Sequence, residues 1–173
     1  MTATFDGTWR IDLDRSVVWD AEAGGYVADE IGEELIRLRI DGDLQDYEVE
    51  YGSDPVVTMG YESRYDDPEW VPYLVREVRS TSADVEASVA AMKRRIKADS
   101  GARERHFEVG RAYGLVRTVG VDERTHYRLS KSPEDGSAQS VMMRRLSDDG
   151  DSYLASVLTT DGVVFRTRWF SRV

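Results

Sequence analysis

Residues 35–51, Leu35-Ile36-Arg37-Leu38-Arg39-Ile40-Asp41-Gly42-Asp43-Leu44-Gln45-Asp46-Tyr47-Glu48-Val49-Glu50-Tyr51, read as two strands joined by a tight turn. Ile36, Leu38 and Ile40 alternate with Arg37 and Arg39; Tyr47, Val49 and Tyr51 alternate with Glu48 and Glu50. A period of two places each apolar set on one side of a pleated strand, which is the pattern of a half-buried antiparallel sheet. Asp41-Gly42-Asp43 supplies the hairpin signal between them.

Outward from this hairpin the same period recurs. Trp9, Ile11 and Leu13 alternate with Arg10 and Asp12, and Val57, Met59, Tyr61 and Tyr65 share a face of the following strand. Further strands are expected over 71–79 and near 104–111, 113–120, 124–131, 139–147, 152–159 and 162–171. One segment has another period: in Ser82 to Ala98, Val85, Val89, Met92 and Ile96 recur at helical spacing, with Ser82 as the expected N-cap and basic residues in the last turns. A short helical turn is allowed around Ala28 to Glu34. Many sequential strands with one helix predict a mainly β, antiparallel up-and-down barrel of about ten strands, with one amphipathic helix at about 82–98 covering a mouth. No repeat or linker divides the chain, so residues 1–173 are expected to form a single barrel domain with a helical insertion. Closure leaves no sheet edge to defend, and a barrel of eight or more strands has room for a small ligand.

The 173 residues suffice for a core without staples, and no cysteine is present for a disulfide, a thiolate metal site or a nucleophile. Lys and Arg number 23 against 33 Asp and Glu, a formal charge of -10 that disfavours nucleic acid and anionic lipid surfaces. The lysines are Lys93, Lys97 and Lys131, so nearly all positive charge sits on guanidinium groups, which fork onto carboxylates and stack on rings. No basic leader with an apolar run opens the sequence and no stretch is long enough for a membrane span, so a cytoplasmic location without membrane insertion is expected. Nothing in the sequence excludes a homodimer.

The two ends carry a resemblance. Phe5-Asp6-Gly7-Thr8-Trp9-Arg10 resembles the Phe-x-Gly-Thr-Trp-Lys opening of intracellular fatty-acid-binding proteins and the Gly-x-Trp opening of lipocalins. Thr167-Arg168-Trp169-Phe170-Ser171-Arg172-Val173 is similar to the fatty-acid-binding-protein ending Thr-Arg-x-Tyr-x-x-Val. The resemblance implies a calycin-like barrel holding a small hydrophobic molecule. It puts Arg168 at the arginine that meets a ligand carboxylate, with Phe170 replacing the tyrosine beside it. The helix pair that this family has after its first strand is missing here. Alternation in the last strand leaves two interiors open: Val163, Phe165, Thr167 and Trp169, or Val164, Arg166, Arg168 and Phe170. In the second, paired guanidiniums line the cavity and call for an anion.

His106 and His126 are the side chains that titrate near neutrality. His126 falls with Arg124 and Arg128, opposite Tyr127 and Leu129, which reads as a solvent face; His106 falls with Glu104 and Glu108. Tyr47, Tyr51, Tyr61, Tyr65, Tyr73, Tyr113, Tyr127 and Tyr153 are inward candidates, as core or as a hydroxyl-rich wall suited to an aromatic ligand. The stretch Tyr61 to Tyr73 reads as a turn at Asp67-Pro68 or as a functional loop carrying Trp70, with Asp66, Asp67 and Glu69 as a marginal cation cluster. No metal motif, phosphate-binding loop or other cofactor signature is present. The leading expectation is binding of a small hydrophobic or aromatic, acidic molecule by Arg166, Arg168, Phe170, Trp9, Tyr47, Tyr61, Trp70 and Tyr113. The alternatives are cofactor-independent lyase or isomerase chemistry on an aromatic compound, with Tyr65 and His126 moving a proton, and an interaction module, which requires a broad exposed apolar patch.

Overall fold

A computed structural model describes residues 4–100 and 108–173, with backbone alone for 93–100. The elements are β1 (Gly7–Asp20), β2 (Gly25–Ala28), β3 (Glu34–Asp41), β4 (Leu44–Tyr51), β5 (Val56–Arg64), β6 (Val71–Arg79), α1 (Val85–Ser100), β7 (Ala112–Asp122), β8 (Thr125–Lys131), β9 (Ala138–Leu146), β10 (Ser152–Leu158) and β11 (Val164–Arg172). From β3 to β11 each strand pairs with the next, and β1 pairs with β3 on one side and β11 on the other. Ten antiparallel strands therefore close into a barrel, as the alternation and the single helix predict. β2 lies outside the ring and pairs with the far half of β1, from Val17↔Ala28 to Asp20↔Gly25.

The β3–β4 hairpin has the register read from its sequence, with Ile36 opposite Val49 and Leu38 opposite Tyr47. All four side chains are buried, and each such burial contributes roughly 1.5–3 kcal/mol. Their polar alternates form an outer ladder, in which Arg37 reaches Glu48 at 3.1 Å and Glu50 at 2.7 Å while Arg76 reaches Glu48 at 3.0 Å.

Four local expectations are corrected. Leu13 is not on the core face with Trp9 and Ile11; it is 39% exposed, because the β1–β11 register shifts between Asp12 and Val17 and turns the strand over. The segment Ala28 to Glu34 has no helical turn: β2 ends at Ala28, β3 begins at Glu34, and Gly32 between them has a positive φ of 92°. The strand near 104–111 is replaced, over 108–111, by a turn in which Arg111 N–H donates to Glu108 O (3.0 Å), and 104–107 lie outside the described residues. The helix begins three residues later than expected, capped by Asp84, whose Oδ1 accepts the Ala87 N–H at 2.9 Å, instead of by Ser82.

Because adjacent strands are antiparallel, their connections divide between two ends of the barrel, a closed one plugged by Phe5 and an open one. At the closed end Phe5 is buried against His126 and Tyr153, with ring centroids 4.3 and 5.7 Å away, and Trp9 Nε1–H donates to Phe5 O at 2.9 Å. At the other end stand the strap 29–33, the turns after β4, β8 and β10, and α1, whose Met92 joins the core.

Candidate ligand cavity

Between the buried Trp9–Tyr153–Phe170 cluster and the open end lies a cavity of about 100 Å³. Its wall is built from side chains two residues apart on successive strands: Arg166, Arg168 and Phe170 on β11, Ser140, Met142 and Arg144 on β9, and Arg128 on β8. Tyr47, Tyr51, Tyr73 and Tyr113 form the opposite wall, with Glu34 and Ile31 beside the strap. The last strand thus turns its arginine face inward, the second of the two interiors its alternation allows.

Arg168 closes the strap onto the barrel. Its Nε donates to Asp29 Oδ2 at 2.7 Å and its NH1 to Glu34 Oε2 at 2.8 Å, while Arg166 Nε lies 3.6 Å from Asp29. Asp29 also accepts the Ile31 N–H at 3.2 Å and donates its own N–H to Ser16 O at 3.0 Å, so the strap is folded around this one side chain. Burial pushes the Asp29 carboxyl up, but Arg168, Arg166 and the Ile31 N–H outweigh it and hold its pKa below the ordinary value. For Glu34 burial prevails over Arg168 and the pKa is raised; the neighbouring Asp29 charge adds to that.

Arg128 and Arg144 differ from this pair. Among the described residues no carboxylate lies within ion-pair distance of either, and both sit over the Tyr47 ring, 5.5 and 4.7 Å from its centroid. Arg128 NH1 and Arg144 Nε and NH2 are buried without hydrogen-bond partners. The remaining Arg144 nitrogen, NH1, is 3.3 Å from His126 Nε2. Because guanidinium only donates, His126 Nε2 accepts and the imidazole hydrogen sits on Nδ1, facing Tyr65 Oη at 3.2 Å. Gln45 Nε2 donates to the same phenol oxygen at 2.6 Å, and Tyr61 Oη donates to Gln45 Oε1 at 2.9 Å. Burial, then Arg144 and Arg128, hold the His126 pKa well below 6.5, and burial pushes Tyr65 up to about 12.

Of the residues expected from sequence to bind a ligand, Arg166, Arg168, Phe170, Tyr47 and Tyr113 line the cavity. Trp9 belongs to the floor, Tyr61 stacks beneath Tyr47 at 4.9 Å, and Trp70 lies away from the cavity with Lys131 Nζ 4.4 Å from its ring. Tyr65 and His126 meet each other but lie below the cavity wall, behind Arg144. The solvent-face reading of His126 is overturned: it is 2% exposed, since β8 turns His126 and Arg128 inward and Tyr127 and Leu129 outward. His106 lies outside the described residues. The loop after β5 is a structural turn in which Asp66 accepts the Gly120 N–H at 3.0 Å and Asp67 the Glu69 N–H at 2.9 Å. Among the described residues no cluster of acidic and imidazole groups could hold a metal.

Tyr51 and Tyr73, inward candidates by their alternation, line the cavity, whereas sequence reasoning missed Asp29, Glu34, Arg128 and Arg144 as site residues. One signal was present: Glu34 shares the strand face of Ile36, Leu38 and Ile40, and a carboxylate on an apolar face demands a buried cation.

The closed meander and its internal cavity define a calycin-like barrel. No protein-family model matches the chain and no curated protein matches it. Among solved structures it is similar to one described as the REP1-NXSQ fatty acid transporter, at 14% identity over 97% of this chain and 95% of that chain, with a TM-score of 0.53. It is likewise similar to the fluorescent protein UnaG, at 15% identity over the full length of both chains, with a TM-score of 0.55. The likeness to both is one of fold, a closed antiparallel barrel, which here carries a hairpin and strap between its first two barrel strands, β1 and β3. No helix among the described residues is long and apolar enough to cross a membrane.

Proposed function

We propose that this protein binds a small organic acid with an apolar or aromatic body, its anionic group held by Arg144 and Arg128 and its body against Tyr47, Tyr73 and Phe170. The observation that carries this reading is the pair of buried guanidiniums with unused donors and no carboxylate partner. Leaving an ion unpaired in a low-dielectric interior costs several kcal/mol, and an incoming anion removes that cost. Arg168, which the terminal similarity puts at the ligand carboxylate, already holds Asp29 and Glu34 with two of its nitrogens. The neighbour described as a fatty acid transporter is in keeping with a hydrophobic acid.

Against acid–base chemistry by Tyr65 and His126 stand three facts. The pair is shielded from the cavity by Arg144, the imidazole is a weakened base, and its Nε2 is occupied. An interaction module finds a modest basis in the exposed Trp19, Tyr26 and Val27 of the β1–β2 hairpin.

The test is displacement of a fluorescent aromatic sulfonate by fatty and aromatic acids and by their methyl esters. Acids are expected to compete about tenfold better than esters, and Arg144→Met to abolish that preference while sparing the esters. Equal loss for acid and ester in Arg144→Met overturns the anion role, and no displacement by either sinks the binding reading.

A further inference from the structure

Among the described residues the formal charges that line the cavity do not balance. Arg128, Arg144, Arg166 and Arg168 point inward, against two carboxylates, Asp29 and Glu34. Both carboxylates are engaged by Arg168, and Asp29 also neighbours Arg166. The other titratable groups facing this space are the phenols of Tyr47, Tyr51, Tyr73 and Tyr153, all held un-ionised by burial, the phenol of Tyr113, and the neutral His126 behind Arg144. Four cations against two anions leave a formal excess of two positive charges among the described residues.

The excess is localised. Arg128 and Arg144 lie on adjacent strands, with Arg128 opposite Met142 and His126 opposite Arg144, so the two arginines are diagonal neighbours roughly 7–8 Å apart at their Cα atoms. Both flank the same Tyr47 ring. Arg144 offers two unused nitrogens, enough for a forked contact with a carboxylate, and Arg128 offers one. Two separate monoanions in so small a cavity would repel each other; one molecule carrying both charges meets both arginines and keeps its apolar body on the tyrosine wall.

We infer that the ligand is a dianion, a compact molecule with two carboxylate-type groups on an apolar or aromatic frame, one group on Arg144 and the other on Arg128. This inference rests on the anion-binding reading above and narrows it to a charge class.

The experiment is calorimetric titration of the whole chain, in roughly 0.15 M salt, with benzoate, phthalate, isophthalate and terephthalate, which differ in charge and in the spacing of their carboxylates. At least one dicarboxylate is expected to bind at least about tenfold tighter than benzoate. Arg128→Gln should cost that dicarboxylate more affinity than it costs benzoate and so close most of the gap between them; an equal loss for both overturns the assignment of the second group to Arg128. Benzoate binding as tightly as every dicarboxylate overturns the dianion and leaves the anion-binding reading standing. Binding by none of the four also overturns the dianion, and the acid and ester competition then decides separately whether anion binding survives. The comparison among the four acids is made on the unaltered protein, so it holds even if the variant does not fold.

Discussion

Arg144 NH1 donates to His126 Nε2 across 3.3 Å, and this contact fixes which way the guanidinium faces. With NH1 turned to the imidazole, Nε and NH2 are left toward the cavity. His126 is held in turn by Tyr65, and Tyr65 by Gln45, so a hydrogen-bonded chain from the barrel floor orients the cation. His126 is therefore a positioning residue for the proposed anion site. His126→Leu should weaken acid binding about tenfold and leave a methyl ester unaffected, while His126→Gln, which can still accept from Arg144, should restore much of the loss. Competition titrations with acid and ester decide it; equal weakening of both would make His126 a packing residue and nothing more.

The same imidazole gives stability a pH dependence. Folded His126 titrates well below 6.5, so between those values the unfolded chain binds a proton that the folded chain refuses, and stability falls as pH drops. Asp29 acts in the same sense but lower, below its ordinary 3.8; Glu34, raised above 4.5, acts in the opposite sense. Urea midpoints for wild type and His126→Gln at about pH 5 and about pH 7.5 separate the contributions. The wild type should lose more stability than the variant on going to the lower pH. A constant difference between the two proteins would show that the fold does not hold His126 neutral.

Two arginines in one cavity should respond oppositely to removal. Arg168→Met leaves buried Glu34 without its ion-pair partner and Asp29 with only the more distant Arg166, and so loosens the strap, a loss of about 3–5 kcal/mol. Arg144→Met removes a cation that has no carboxylate partner, and the flexible apolar side chain can occupy much of its volume. The ligand-free variant should melt at or above the wild-type temperature, even though it loses the acid site. Such a trade of stability against binding is common where function needs an unbalanced group. Thermal unfolding without ligand checks both, and a strongly destabilised Arg144→Met would mean that its charge is balanced in the folded protein.

These contrasts also mark what local pattern could and could not reveal. β3 and β4 were legible because one face of each is apolar and the other charged, and the ring closure followed from strand after strand of that kind. β8 misled because its inner face carries His126 and Arg128 while Tyr127 and Leu129 look out, the reverse of the usual rule. A polar cavity inverts alternation on the strands that line it. The strap was illegible for another reason: its anchor, Arg168, lies 139 residues from Asp29 in the chain. The arginine face of β11 was visible as one of two interiors, and what decided between them was the presence of carboxylates at 29 and 34: Glu34 is marked by its place on an apolar strand face, whereas nothing in the neighbourhood of Asp29 marks it as buried.

Tyr153 offers a test of the floor independent of any ligand. Its ring stacks on Phe170 at 4.8 Å and meets Trp9 edge-on at 4.9 Å, yet its hydroxyl is buried without a hydrogen-bond partner. An unsatisfied buried hydroxyl costs about 1–3 kcal/mol, and Phe keeps the ring while removing the oxygen. Tyr153→Phe should therefore raise stability, by about 1 kcal/mol once the small void left behind is counted. Denaturant unfolding measures this directly. A loss of comparable size would mean that the hydroxyl is satisfied in solution, by ordered water reaching the floor of the cavity, and the floor would then have to be regarded as wet.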